Sequence, residues 1–219
     1  MTVELSEEPL LESDEIQGNS LRGFDTRYLE LLGFKIDDPK SARSWLVALG
    51  SRLASLSDVH SYRLRRSDGV VSTLTEILVN AAFSTYGLRA LEIDGTALGE
   101  GLFNLAMGRL AGSLGDPVSA SGQPVNYVVG QDRANTPDLL LLVGCEDSSA
   151  LTAASDSLQK EALAEGLKLI YRERGNTLPG QTEHFGYRDG ISQPGPRGLL
   201  RADPPQPRHD AERVRGVSR

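Results

Sequence analysis

The residues of this 219-residue chain that are best suited to chemistry lie in the segment EHFGYRDGISQPG, residues 183–195. Its centre is a G-x-x-D-G pattern formed by Gly186, Asp189 and Gly190. Glycine adopts positive φ freely and lets the backbone approach a ligand closely, so the pattern predicts a loop that holds a carboxylate beside a flat ligand. Taken alone, the same residues also suit an Asp-Gly turn with an exposed carboxylate.

Two further blocks favour the first interpretation. One reads IQGN at residues 16–19 and continues as RGF at 22–24, and the other reads NAAFS at 80–84 and continues as YGLRAL at 86–91. These blocks and the G-x-x-D-G segment, in this order, resemble the dye-decolourising peroxidases. That family consists of haem enzymes built from ferredoxin-like halves.

The resemblance implies a haem b enzyme that uses hydrogen peroxide to oxidise aromatic donors such as phenols and dyes. It places the aspartate of the motif on the distal side of the haem, which makes Asp189 the predicted catalytic acid–base. A distal group of this kind accepts a proton from one peroxide oxygen and returns it to the other. Because a carboxyl group has an ordinary pKa of about 3.9, such a base works at acidic pH, as the resemblance also implies.

The remaining predicted cofactor contacts surround Asp189. Gly186 and Gly190 would shape the distal loop, and His184 would line it. Arg188 and Arg197 flank the motif and are either contacts to the haem propionates or solvated surface arginines.

An axial iron ligand is not identifiable in this chain. In the dye-decolourising peroxidases, which this chain resembles, the proximal histidine and a distal cation come from a second ferredoxin-like half that follows the motif. Of the three histidines, His60 lies in a polar stretch, His184 belongs to the motif loop and His209 lies in a segment without apolar periodicity. We therefore expect the chain to be an N-terminal half that lacks the proximal ligand.

The domain organisation follows from composition. Residues 1–25 form an N-terminal extension with the IQGN and RGF block, and 26–198 form the ferredoxin-like domain that ends in the motif. Residues 199–219 are rich in arginine and proline and poor in apolar residues, which predicts a disordered or aberrant tail. A reading frame lost near residue 198 would produce such a tail.

Two alternatives remain open for the function. The chain is either a non-catalytic ferredoxin-like module that binds a ligand or a protein, or one half of a split peroxidase whose second half is encoded separately. If a missing second half normally covers the open face or edge of the sheet, we expect this chain to expose apolar surface and to self-associate.

Periodicity predicts an α+β fold with an antiparallel sheet and helices on one face. We also expect a short helix at 86–91, a helix at 98–110 and a long loop at 112–135, and we assign no element to 57–72. The elements of the sheet domain are strand 28–36, helix 41–56, strand 76–83, strand 138–144, helix 148–165 and strand 167–172. Their order, β-α-β-β-α-β, is ferredoxin-like.

Net charge, cysteine content and hydropathy limit the partners, the thiol chemistry and the location expected for this chain. The net charge of −7 argues against a nucleic-acid partner. Cys145 is the single cysteine, and its apolar neighbours predict a buried, unreactive thiol. The acidic start lacks the features of a signal peptide and no apolar run is long enough to span a membrane, so the expected location is cytoplasmic.

Overall fold

The computed structural model describes residues 12–21, 23–67, 75–93, 111–122, 124–178 and 182–187. Residues 13–189 belong to one compact unit. The predicted tail at 199–219, the predicted helix at 98–110 and the motif residues from 188 onward lie outside the described residues. Within the described ranges, no helix combines the length and the apolar character that crossing a membrane requires.

Four antiparallel strands form the sheet, in the spatial order β2-β3-β1-β4. Their bounds are β1 Tyr28–Ile36, β2 Leu78–Phe83, β3 Leu139–Cys145 and β4 Leu167–Asn176. The helices are α1 Pro39–Gly50, α2 Leu56–Ser67, α3 Thr85–Ala90, α4 Ala111–Leu114 and α5 Ser148–Ala164, with a short 3-10 helix at Gly18–Ser20. The predicted ferredoxin-like order is confirmed.

The main core lies between one face of the sheet and the helices α1 and α5. Trp45 and Leu49 of α1 pack there with Leu151 and Leu158 of α5. The sheet contributes alternate residues of its strands, because successive side chains of a strand point to opposite faces. These include Leu32, Phe34, Val79, Leu139, Leu141, Val143 and Cys145. The expected burial of Cys145 is confirmed, and Phe34 and Trp45 are buried in the same core.

Sequence periodicity extended the first helix too far and missed the second. Asp38 accepts hydrogen bonds from the backbone N–H of Lys40 and Ser41, and Pro39 occupies the first turn. The helix then ends at Gly50. Ser55 and Asp58 exchange reciprocal side-chain to backbone hydrogen bonds of 3.1 and 2.8 Å, which begins a separate helix at Leu56.

Helix α2 covers part of the opposite face of the sheet. Its Val59 and Tyr62 are buried with Phe24, Ala54 and Leu78 in a second, smaller core. Spacings of three residues between Leu56, Val59 and Tyr62 were the signal for this helix, and the surrounding charged residues obscured it.

A β-bulge in β4 changes which of its side chains face the helices. Gly33 pairs with Tyr171 and Phe34 pairs with Leu169, so Ile170 has no partner in the register. Leu169 packs against the main core, and beyond the bulge Arg172 reaches side chains of α5. Strict alternation would have turned Tyr171 towards α5 instead.

Helix α3 packs closely against the backbone just before β3, and this contact can be tested at Gly87. A Cβ at this position would lie 2.0 Å from the carbonyl oxygen of Asp138, a backbone atom that cannot move aside easily. We expect Gly87→Ala to lower the free energy of unfolding by about 1–3 kcal/mol or more, measured by chemical denaturation. Gly50→Ala is the matched control, because nothing lies within 4 Å of its Cβ position. Gly50→Ala should stabilise the protein by about 0.4–1 kcal/mol. Equal effects of the two substitutions on the free energy of unfolding would contradict the close approach of Gly87 to Asp138.

Candidate functional site

The motif loop leaves the sheet at the end of β4. Just beyond the strand, the backbone N–H of Thr177 donates to the carbonyl oxygen of Arg27 at 3.0 Å. Leu178 and Thr182 then form an isolated antiparallel bridge, with a hydrogen bond of 3.2 Å from Leu178 N–H to Thr182 O. The loop is therefore tied at its base to the segment that enters β1.

A tight turn follows at residues 183–187. The backbone N–H of Glu183 donates to the carbonyl oxygen of Tyr187 at 2.8 Å, and the N–H of Gly186 donates to the carbonyl oxygen of Glu183 at 3.0 Å. Gly186 has a φ of +91°, in the region that favours glycine. The first glycine of the G-x-x-D-G pattern thus has a backbone conformation that an L side chain rarely adopts.

Two of the predicted site residues lie in this turn. His184 and Gly186 are both exposed, and the rings of Phe185 and Tyr187 beside them are 90% and 75% exposed. Asp189, Gly190, Arg188 and Arg197 lie outside the described residues. The described part of the motif is a clamped turn that presents two aromatic rings and an imidazole to solvent.

Strand β4 is fixed to its neighbours by a buried carboxylate. Glu30 of β1 is 3% exposed, and it accepts hydrogen bonds from Arg172 at 2.5 Å and from Arg174 at 2.6 Å. Arg172 also pairs with Asp156 of α5 at 2.8 Å, and Arg174 donates to Thr152 of the same helix at 3.0 Å. The bulge turns both side chains towards α5, although Arg174 is exposed and Arg172 is half-buried.

The ionisation of Glu30 reflects these contacts. Burial alone would raise its pKa, but the hydrogen bonds from Arg172 and Arg174 outweigh desolvation and leave the pKa below its ordinary value. The charged form is therefore favoured, and the strand that leads into the motif loop is held by two charge-assisted hydrogen bonds.

The IQGN and NAAFS blocks, far apart in sequence, contact each other directly. The side-chain amide of Gln17 donates to the carbonyl oxygen of Ala81 at 3.0 Å and accepts from its N–H at 2.7 Å. The N–H of Asn19 donates to Asn80 Oδ1 at 2.7 Å. Since β2 is an edge strand, Gln17 pairs with backbone groups that would otherwise be open to another chain.

A second buried carboxylate, Asp138, was not singled out by sequence reasoning. It is fully buried at the start of β3, and it accepts from Lys35 Nζ at 3.1 Å, Arg133 at 2.6 Å and the N–H of Ile36 at 3.0 Å. The guanidinium of Arg133 also lies 4.7 Å from the centroid of the Tyr86 ring. These contacts attach the loop before β3 to the sheet. In the sequence, Asp138 follows a threonine and a proline, a pattern that is also typical of an ordinary turn, so it was not distinguished there.

Among the described residues, no group of three or more His, Cys, Asp or Glu side chains could hold a metal ion. His60 is half-buried in α2, and His184 lies on the exposed turn. Neither histidine lies in a set of converging ligands.

Comparison with known proteins decides the family. The family model described as the DyP dimeric alpha+beta barrel domain matches residues 15–179, which is most of the chain. The chain belongs to the dye-decolourising peroxidase family. The matched range contains the IQGN block, the NAAFS block and all four strands of the sheet.

Two curated dye-decolourising peroxidase relatives support this membership. A dye-decolorizing peroxidase of Exidia glandulosa is 28% identical over 193 residues, which cover 86% of this chain and 35% of the relative. Peroxidase 2 of Mycetinis scorodonius is 34% identical over 141 residues, which cover 62% of this chain and 26% of the relative. The chain therefore spans about a third or less of the length of these relatives.

Solved dye-decolourising peroxidase structures share the fold. An ancestral D-type dye-decolorizing peroxidase superposes with a TM-score of 0.72 at 26% identity, covering 85% of this chain and 40% of that one. A dye-decolorizing peroxidase in complex with 2,6-dimethoxyphenol superposes with a TM-score of 0.65 at 25% identity, covering 84% and 39%. The similarity covers less than half of each solved chain.

The Glu30 contacts predict a defined pH dependence of stability. Because the folded pKa of Glu30 lies below the ordinary value of 4.5, its stabilisation is fully present above pH 4.5 and is lost as the pH falls through the folded pKa. Glu30→Gln should cost about 1–3 kcal/mol at neutral pH. Its unfolding free energy should then fall less steeply on acidification below pH 4.5.

Urea denaturation at a series of pH values measures this difference. Glu173→Gln, at an exposed position of the same strand pair, removes the same charge and should leave the acid limb unchanged. Parallel acid limbs for the wild type and Glu30→Gln would show that the buried contacts do not set the titration.

Proposed function

We propose that this chain forms the distal half of a haem-dependent peroxidase, with Asp189 as its acid–base. The observation that carries the proposal is family membership together with an intact G-x-x-D-G sequence that begins within the hydrogen-bonded turn at residues 183–187, shortly after β4. A functional group on a short loop that leaves a rigid sheet can be held at a constant distance from a ligand.

The chemistry proposed for the chain's own residues is proton transfer. The carboxylate of Asp189 accepts a proton from one oxygen of hydrogen peroxide and returns it to the other, so that the second oxygen leaves as water. Haem b, when bound, supplies the iron redox chemistry that accompanies cleavage of the O–O bond. Gly186 and Gly190 allow close approach of the loop backbone, and Arg188 and Arg197 pair with propionate groups.

The described residues fit the apolar surface of such a cofactor better than they fit its iron. Phe185 and Tyr187 are mostly exposed on either side of Gly186, which has no Cβ, and His184, which precedes them in the sequence, is also exposed. A flat aromatic group can stack on such a surface. The iron needs an axial ligand, and we propose that the second half of the protein supplies it.

We propose that the second half packs on the face of the sheet that α2 covers only in part. Leu78 faces α2 in the smaller core, and by strand alternation Ala82, Leu140 and Leu31 share its face. Ala82 is exposed, and Leu31 and Leu140 are only half-buried. Apolar side chains at neighbouring register positions favour either a second ferredoxin-like half or self-association of this chain.

The substrate class is proposed from the relatives. One solved relative was crystallised with 2,6-dimethoxyphenol. We propose hydrogen peroxide as the oxidant and phenols or dyes of comparable size as electron donors. Exposed aromatic rings beside Asp189 in sequence are consistent with a site open to such donors.

A haemin titration tests the division between the two halves. We expect the 219-residue chain alone to give no saturable Soret band, and a one-to-one band to appear when a second half carrying the proximal histidine is supplied. Light scattering of the same sample should show self-association, and a monodisperse monomer would contradict that part. A one-to-one band from the chain alone would place the ligand in this chain, and His184→Ala and His209→Ala would identify it.

Substitution of the acid–base tests the role of Asp189. In a haem-loaded assembly with both halves, Asp189→Asn should slow peroxide cleavage by about 10²–10⁴-fold, because the amide cannot accept the proton. Stopped-flow absorbance measures the rate. Asp37→Asn, at an exposed position at the end of β1, is the charge-matched control. An unchanged rate in Asp189→Asn would remove Asp189 from the mechanism and would mean that another group serves as the acid–base.

A further inference from the structure

Glu183 makes more hydrogen bonds within the motif turn than its backbone accounts for. Its carboxylate accepts from the N–H of Phe185 at 2.8 Å and from the N–H of Tyr187 at 2.9 Å, using a different oxygen for each. With the two backbone bonds of the same residue, to Tyr187 O and from Gly186 N, four hydrogen bonds of the turn involve Glu183. Two of these four bonds come from the side chain and two from the backbone, so Glu183 is a partner in every one of them.

Side-chain packing does not hold this turn. The rings of Phe185 and Tyr187 are mostly exposed, and no heavy atom lies within 4 Å of a Cβ position built on Gly186. In the absence of buried apolar contacts, the conformation depends on the hydrogen bonds. Those to a carboxylate are the stronger kind, since bonds with a charged partner are about twice as strong as neutral ones.

The turn is attached to the sheet at its start, and its last residue, Tyr187, lies close to Asp189 in the sequence. Its base is joined to the sheet through Thr177 and Leu178, whose N–H groups donate to Arg27 O and Thr182 O. At its exit, Tyr187 is followed two positions later by Asp189. The carboxylate of Glu183 thus acts on the last described residue before the proposed acid–base.

We propose that Glu183 is a positioning residue for Asp189: its carboxylate clamps the amides of Phe185 and Tyr187 and so directs the chain into the G-x-x-D-G aspartate. This role rests on the proposed function of Asp189. Glu183 itself does not touch substrate or cofactor, and it acts through the backbone of the turn. Sequence reasoning passed over Glu183, although it is the first residue of the motif segment.

The experiment uses the intact 219-residue chain labelled with ¹⁵N and ¹³C, without haem. The variants are Glu183→Ala, which removes both acceptors, and Glu183→Gln, which keeps one acceptor oxygen and replaces the other by a donor amide. Glu173→Gln is the charge-matched control on the preceding strand. The readouts are the hydrogen exchange rates of the Phe185 and Tyr187 amides and the ¹³C chemical shift of the Asp189 carboxyl across pH.

We expect both amides to exchange at least about ten-fold faster in Glu183→Ala, since a hydrogen bond to a charged group is lost at each. Glu183→Gln should protect one of the two amides. The Asp189 carboxyl resonance should move in Glu183→Ala towards that of an unstructured peptide and return part of the way in Glu183→Gln. The amides of Leu139–Cys145 should be unchanged in every variant, which shows that the sheet is intact.

Two results would overturn the proposal. Unchanged exchange at Phe185 and Tyr187 would show that the carboxylate does not clamp the turn. Faster exchange with an unchanged Asp189 resonance would show that the clamp is local and does not position the aspartate. Neither result depends on peroxide chemistry, so failure of Asp189→Asn to slow peroxide cleavage would refute the proposed function separately.

Discussion

The hydrogen bonding of β1 to both β3 and β4 is the constraint on which the rest of the fold depends. Tyr28 pairs with Cys145 on one side and with Asn176 on the other, so the start of β1 fixes where both neighbours end. The loop that carries the motif leaves from the end of β4, and its position is therefore set by this register. A slip of one residue would turn the core residues of the strand towards the other face.

The bulge in β4 modifies this constraint in a useful way. Because Ile170 is unpaired, Leu169 contributes to the apolar core. Beyond it, Arg172 and Arg174 reach α5 and the buried Glu30. A buried carboxylate is tolerated only where it is paired and hydrogen-bonded, because desolvation otherwise exceeds what its contacts return. Asp138 meets the same condition with Lys35 and Arg133 at another point where a loop joins the sheet.

The three sequence blocks that resemble the family have different structural roles. Gln17 of the IQGN block pairs with Ala81 of the NAAFS block, and together they close the outer edge of β2. The third block lies at the end of β4, the edge strand on the opposite side of the sheet, where Glu183 clamps an exposed turn. Two blocks thus serve the scaffold, whereas the described part of the third, residues 183–187, is a mostly exposed turn.

Local pattern was sufficient for most of the elements. Alternation located β1 over Tyr28–Ile36, the apolar run located β3 within one residue, and the helical period located α5, because each property depends only on neighbouring residues. The period failed at residue 50, since the end of α1 and the start of α2 depend on a reciprocal cap formed by Ser55 and Asp58.

The amino-acid pattern was enough to predict the β-α-β-β-α-β order, the burial of Cys145, and a glycine-bounded aspartate in a motif that resembles that of the family. Three contacts became visible only in the folded chain: Arg172 and Arg174 bind Glu30, Gln17 pairs with the backbone of Ala81 on the edge strand β2, and Lys35 binds Asp138. These contacts join residues 64 to 144 positions apart, or depend on a bulge that shifts side chains between faces. Periodicity records the surroundings of a residue along the chain, whereas such partners are chosen by strand register and by the need to pair buried charge.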